Sequence, residues 1–269
     1  MSKIARPTPF FLRVYRTARI GVHLLEGVAT TTFVFPLLHL RTQRALVRLW
    51  SRRLLRMLNV ETRLHGAVCT DGNVLIVSNH VSWLDVLVLS SVHPVRFIAK
   101  AELARVPLIG RLLRDVGTLF VARARKRDAH EVNRGAQRAL SGGDIVALFP
   151  EGRTSDGTDV LPFKSALLQA IIDAKGRLQP VALRYCAASG AVSLLPAYVG
   201  DMTLVCSLWR ITAARSLVVD MHARPTLAAC DTHRRDLAVY AEAAIREALS
   251  TAVGATGPGT LSGREIAAQ

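Results

Sequence analysis

The sequence predicts an α/β domain, a mainly parallel or mixed sheet flanked by helices, with a helical module ahead of it. Three observations carry that prediction. From about residue 60 to residue 223 short apolar runs alternate with helical patterns, the order that builds layered α/β sheets. The run Val74-Leu75-Ile76-Val77 is short and β-branched and is opened by the turn signal Asp71-Gly72-Asn73, so it reads as a buried strand. Half of the 269 residues are hydrophobic, ample for a core.

Residues 20–40 come first, a mostly apolar stretch between Arg19 and Arg41. As one helix it would run roughly 32 Å, about the thickness of a bilayer core. It contains His23 and Glu26, and a carboxylate at mid-membrane costs about 2.5–3.5 kcal/mol on insertion scales. Lys3, Arg6, Arg13, Arg16 and Arg19 precede it, and Arg41, Arg44, Arg48, Arg52, Arg53 and Arg56 follow it. Positive charge on both sides disfavours a simple span and suits a hairpin or helix that dips into one leaflet and returns. No small-residue cleavage site follows, which argues against a cleaved signal peptide. In residues 41–58, Leu46, Leu49, Trp50, Leu54, Met57 and Leu58 recur at helical spacing among six arginines, the composition of an interfacial anchor. Residues 1–58 are thus expected to anchor the chain on a membrane, at the cytoplasmic face of the inner (cell) membrane.

Within residues 59–253, the main domain, the expected strands are Val74–Ser78, Val95–Ala99, Gly117–Val121, Asp144–Phe149, Gln179–Tyr185 and Leu217–His222. The expected helices are Trp83–Val92, Leu108–Asp115, Ala129–Leu140 and Phe163–Ala174, with Arg234–Ser250 closing the domain. Residues 254–269, rich in Gly, Thr, Ser, Pro and Ala, read as a disordered tail. No internal repeat is visible.

Composition narrows the chemistry. The net charge of +15 and pI near 10.9 attract polyanions, either nucleic acid or an anionic membrane surface. Aromatic content is 6%, no nucleic-acid fold signature accompanies the charge, and the placement of the arginines favours membrane. The four cysteines (Cys69, Cys186, Cys206 and Cys230) form no C-x-x-C pair, which fits a reducing compartment and argues against a zinc site. No H-E-x-x-H or G-x-S-x-G motif is present, so neither a metal ligand set nor a serine nucleophile is expected.

The most informative segment is Asn79-His80-Val81-Ser82-Trp83-Leu84-Asp85. His80 falls in a strand-to-helix loop and Asp85 in the first turn of the helix that follows. A carboxylate at one imidazole nitrogen fixes the tautomer and leaves the other nitrogen as a base for a hydroxyl proton. Ser82, close by, is read as structural. Downstream lie Gly117-Thr118-Leu119-Phe120-Val121-Ala122-Arg123, then Phe149-Pro150-Glu151-Gly152-Arg153-Thr154-Ser155, then Gln179-Pro180-Val181-Ala182-Leu183-Arg184.

In order and spacing these four blocks resemble those of the glycerolipid acyltransferase family, most of all its bacterial 1-acylglycerol-3-phosphate (lysophosphatidic acid) acyltransferases. The resemblance implies acyl transfer from a thioester, acyl-CoA or acyl-carrier-protein, to the hydroxyl of a lysophospholipid acceptor, with direct attack and no cofactor. It implies His80 as base with Asp85 behind it, and Glu151 and Gly152 in acceptor binding or catalysis. Arg123 suits the acceptor's phosphate, since an arginine fork binds such oxygens in pairs; Arg125, Lys126 and Arg127 beside it are read as a solvated or lipid-touching loop. Lys100 is a second candidate for head-group contact. The family's usual order puts threonine before arginine in the third block, whereas this chain has Arg153-Thr154, so Lys164 is an alternative source of that charge. Pro180 and Val181 are read as packing at the acyl channel. A lyso-ornithine lipid acceptor, and from another class a non-enzymatic basic membrane-binding module, are the alternatives.

Overall fold

A computed structural model describes residues 8–121 and 126–254. The chain opens with a helical hairpin. Helix α1 (Phe10–Ala29) continues through a π turn at Thr30–Val34 and a 3-10 turn at Phe35–Leu37. Thr30 Oγ1 and Thr31 Oγ1 donate back to the carbonyls of Glu26 and Val28, competition with the helix ladder that bends helices. Leu38 and His39 are extended, and α2 (Leu40–Met57) returns. The apolar stretch 20–40 is therefore the end of one helix and a bend, and not one straight rod.

Helix α2 is the inner arm. Leu54, Leu55 and Leu58 are buried in the same cluster as Leu84 and Val88. Trp50 faces inward: its ring stacks on His23 at 4.8 Å and its Nε1 donates to the His23 carbonyl. This corrects the reading of Trp50 as a residue at the lipid boundary. Gly27 makes the approach possible, because a Cβ there would come within 2.8 Å of Trp50 Nε1. The outward apolar surface belongs to α1 and the bend, where Phe11, Val22, Leu25, Phe33 and Leu37 are all more than half exposed.

The sheet follows. Its elements are β1 (Val60–His65), β2 (Val74–Ser78), α3 (Leu84–Val92), β3 (Arg96–Lys100), α4 (Ile109–Asp115), β4 (Leu119–Val121), α5 (Lys126–Ser141) and β5 (Ile145–Leu148). After these come α6 (Gln169–Asp173), β6 (Arg177–Ala187), α7 (Leu204–Thr212), β7 (Leu217–Ala223), β8 (Leu227–Ala228) and α8 (Arg234–Gly254). The strand order is β1-β7-β6-β2-β5-β3-β4, with β8 on β6. Strands β2 to β6 are mutually parallel, and β7 is antiparallel to β6. The sheet is mixed, within the expected class.

Strands β2 and β5 are buried at every position, as strands covered on both faces must be. One core cluster lies under α2 and α3 and another under α5, α6 and α8. Among the described strands and α-helices, three lie outside the expected set: β1, β8 and α7. Strand β1 is an edge whose Glu61, Arg63 and His65 face solvent, so no apolar run marks it. Expected helix 163–174 is instead a 3-10 turn at Ser165–Leu168 followed by the short α6. Of the tail, Gly254 ends α8, and the rest lies outside the described residues.

Candidate active site

Parallel strands β2, β3, β4 and β5 all end at one edge of the sheet, where α/β folds carry their ligands. The first motif leaves β2 there and the third leaves β5. Asn79 extends the pairing of β2 past its end: its side-chain amide donates to the Leu183 carbonyl (2.9 Å), and its Oδ1 accepts from Leu183 N (2.8 Å). His80 thereby begins its loop from a fixed point.

Asp85, at the second position of α3, is wholly buried. Its Oδ2 accepts from His80 Nδ1 at 2.7 Å and from the backbone N–H groups of Val81 (2.8 Å) and Ser82 (2.9 Å). Its Oδ1 accepts from the Tyr185 hydroxyl at 2.5 Å. A carboxylate at a helix N-terminus is favoured by the helix dipole. With Nδ1–H given to Asp85, the lone pair of the ring is on Nε2, which has no partner among the described residues. The imidazole is one-fifth exposed (21%) and stacks on Phe149 at 4.1 Å and 11°. It is a fixed ring with one free nitrogen at a surface.

Glu151 is turned inward. Its Oε1 accepts from His80 N at 2.8 Å and its Oε2 from Leu161 N at 3.4 Å. Burial pushes its carboxyl up to about 7; the two N–H groups work against the rise, and the Asp85 carboxylate adds to it. Gly152 has φ +70°, a backbone conformation open to glycine at little cost, and a Cβ there would lie 3.1 Å from Lys164 Nζ. Lys164 thus covers the Gly152 turn. Ser155 N donates to the His80 carbonyl (2.7 Å), and Thr154 Oγ1 donates to the Tyr198 carbonyl, so the third motif closes on the first.

His80, Asp85, Glu151, Gly152 and Lys164 are brought together. Arg153 is exposed and makes no hydrogen bond or ion pair among the described residues. Lys100 ends β3 at the same sheet edge, opposite Val121. Arg123 and Arg125 lie outside the described residues; Lys126 and Arg127 begin α5. Val181 is buried in register with Ser78 of β2, and Pro180 with Val77. Tyr185, Phe149 and Ser155 are contacts that the motif reading passed over. A period-two signal was available for Tyr185, since Val181, Leu183 and Tyr185 share one strand face, and a buried phenol needs a partner.

Comparison with known proteins gives one consistent result. The family model described as Acyltransferase matches residues 59–184. The 1-acyl-sn-glycerol-3-phosphate acyltransferase of Neisseria meningitidis is 36% identical over 211 residues, 78% of this chain and 82% of that protein. The lyso-ornithine lipid O-acyltransferase of Brucella abortus is 32% identical over 269 residues, covering 95% of this chain and 97% of its own length. The crystal structure of the 1-acyl-sn-glycerophosphate (LPA) acyltransferase PlsC from Thermotoga maritima shares the fold: TM-score 0.71 at 20% identity, over 93% of this chain and 97% of that one. Relatives this similar over nearly their whole length settle the family: the chain belongs to the acyltransferases.

Proposed function

We propose that this enzyme moves a fatty acyl chain from a thioester, acyl-CoA or acyl-carrier-protein, to the free hydroxyl of lysophosphatidic acid, giving phosphatidic acid. The observation that carries the reading is the His80 ring, held through Nδ1 by a buried Asp85 with Nε2 left free. In the proposed step Nε2 takes the acceptor's hydroxyl proton as its oxygen attacks the thioester carbonyl carbon. The tetrahedral intermediate then collapses, the C–S bond breaks, and the imidazolium returns the proton to the departing sulfur. Asp85 stabilises the imidazolium between the two transfers.

For the acceptor's phosphate the proposed contacts are Arg123, Arg153, Lys164 and Lys100, with Glu151 and Gly152 shaping the turn beneath. The exposure of Arg153, without a partner among the described residues, and the placement of Lys164 over Gly152 support this. We place the reaction at the cytoplasmic face of the cell membrane, approached through α1. Support for membrane contact comes from the helix Phe10–Leu37, long and apolar enough to cross a membrane, and from its outward-facing Phe and Leu side chains. A second acceptor, lyso-ornithine lipid, is favoured by the match to the Brucella relative along almost the whole chain. An acyl-transfer assay on both acceptors, with both donor types, tests the proposal. Faster turnover of lysophosphatidic acid supports it, and exclusive use of lyso-ornithine lipid replaces the acceptor while keeping the chemistry.

A further inference from the structure

Behind the His80–Asp85 pair stands a third group. Tyr185 lies on β6, 100 residues from Asp85 in sequence, and its hydroxyl donates to Asp85 Oδ1 at 2.5 Å. Tyr185 is buried, in the same apolar cluster as Val81, Leu84 and Leu183, and Asp85 is the phenol's one hydrogen-bond partner among the described residues. The two oxygens of Asp85 are divided: Oδ2 serves His80 and two backbone N–H groups, and Oδ1 serves Tyr185. We infer that Tyr185 is a positioning residue, which fixes the Asp85 carboxylate and sets how strongly it holds the His80 proton. This rests on the reading of His80 as the base.

A donor on Oδ1 stabilises the carboxylate and draws density away from Oδ2, which makes Asp85 a weaker partner for an imidazolium. Burial, and the neighbouring Asp85 charge after it, hold the phenol well above its ordinary ionisation range, so it remains a donor wherever the enzyme works. Among the described residues the ionisable groups around His80 are Asp85 on α3, Tyr185 on β6 behind it, and Glu151 on the turn after β5, with Lys164 over Gly152. Tyr185 bonds Asp85 and not Glu151, and repeating the comparison in a Glu151→Gln background separates the two groups.

The test is Tyr185→Phe, which keeps the ring and removes only the donor, beside 3-fluorotyrosine at position 185, a stronger donor. Three quantities are read: kcat and both KM values, the pH dependence of kcat/KM, and the titration midpoint of the 15N-labelled His80 ring. In Tyr185→Phe kcat falls about tenfold, the order expected for one charge-assisted hydrogen bond, with both KM values unchanged. The acidic limb and the ring midpoint both move up, by roughly half a unit to one unit; fluorotyrosine moves both down. Midpoints and limbs that stay fixed in both variants overturn the inference and leave Tyr185 as packing. Midpoints that move while the rate profile does not would support the contact and sink the base reading instead.

Discussion

The loop around His80 and the α1–α2 hairpin both set polar side chains against apolar ones, yet they use their hydrogen-bonding capacity in opposite ways. Around His80 nearly every group is committed: Asp85 takes four donors, Glu151 two, and the His80 carbonyl accepts from Ser155. Among the described residues Ser82 Oγ is also unpaired but sealed in the interior, which leaves His80 Nε2 as the free valence at the surface. Between the arms of the hairpin His23, Glu26, Arg53 and Trp50 bond one another, and Arg13, Arg44 and Arg52 bond the domain beneath. Its outer side is only partly committed. Arg41, Arg44, Arg48 and Arg52 line a groove of about 520 Å³ with Leu49 and His93; Arg44 pairs with Asp144 and Arg52 Nε donates to the Ser91 carbonyl, while Arg41 and Arg48 make no bond to protein among the described residues. A closed network that holds one atom in place suits chemistry. An open face of arginine and exposed Phe and Leu suits a surface that is itself charged and apolar.

The contrast makes the site the place where a single atom matters most. Asp85→Asn keeps the shape but turns an acceptor into a donor at one oxygen, so the orientation of His80 is lost. Turnover should fall roughly 10²–10⁴-fold, the usual contribution of a general base, while vesicle binding is unchanged. A variant within twofold of wild type would break the division between the two regions.

Next in size is Glu151, whose buried carboxyl is held at about 7 against 4.5 in an unfolded chain. Because the folded state keeps a proton that the unfolded chain has released, this contribution is fully present below 4.5 and is lost as pH rises through 7. The shift corresponds to about 3 kcal/mol. Glu151→Gln cannot ionise, so the difference in unfolding free energy between the two proteins should change by that order between pH 4.5 and 7.5. A difference flat with pH would show that Glu151 ionises freely.

The hairpin should yield smaller effects, spread over many residues. Phe33→Asn with Leu37→Asn removes two exposed side chains, each worth at least ~1.5 kcal/mol if lipid covers it, so binding to vesicles should weaken at least about 100-fold. Arg41→Gln with Arg48→Gln should cost less, about 1 kcal/mol per charge on anionic vesicles, and the loss should fade in high salt. These substitutions test the face more cleanly than deleting residues 1–58, because Leu54, Leu55 and Leu58 belong to the core. Vesicle binding indifferent to both pairs would remove the membrane reading from this surface.

The two regions also differ in how far the sequence discloses them. His80 and Asp85 are legible because their spacing places one in a loop and the other in the first helical turn, a purely local relation. Tyr185 is invisible in that sense: its bond to Asp85 spans the sheet, and only the pairing of β2 with β6 creates it. Strand β1 escapes notice because an edge needs charge, not apolar alternation. Trp50 misleads for a related reason. Its helical spacing is read correctly, but spacing cannot say which neighbour takes the ring, and His23 on the other arm takes it.

The central claim is that His80 Nε2 takes the acceptor's proton, and His80→Ala tests it most directly. The measurement is steady-state acyl transfer to lysophosphatidic acid, with thermal unfolding and vesicle sedimentation on the same preparation. The account predicts at least a ~10²-fold loss of kcat with the unfolding midpoint and vesicle binding close to wild type. Turnover at the wild-type rate on the best acceptor, in a folded and membrane-bound His80→Ala protein, would contradict it.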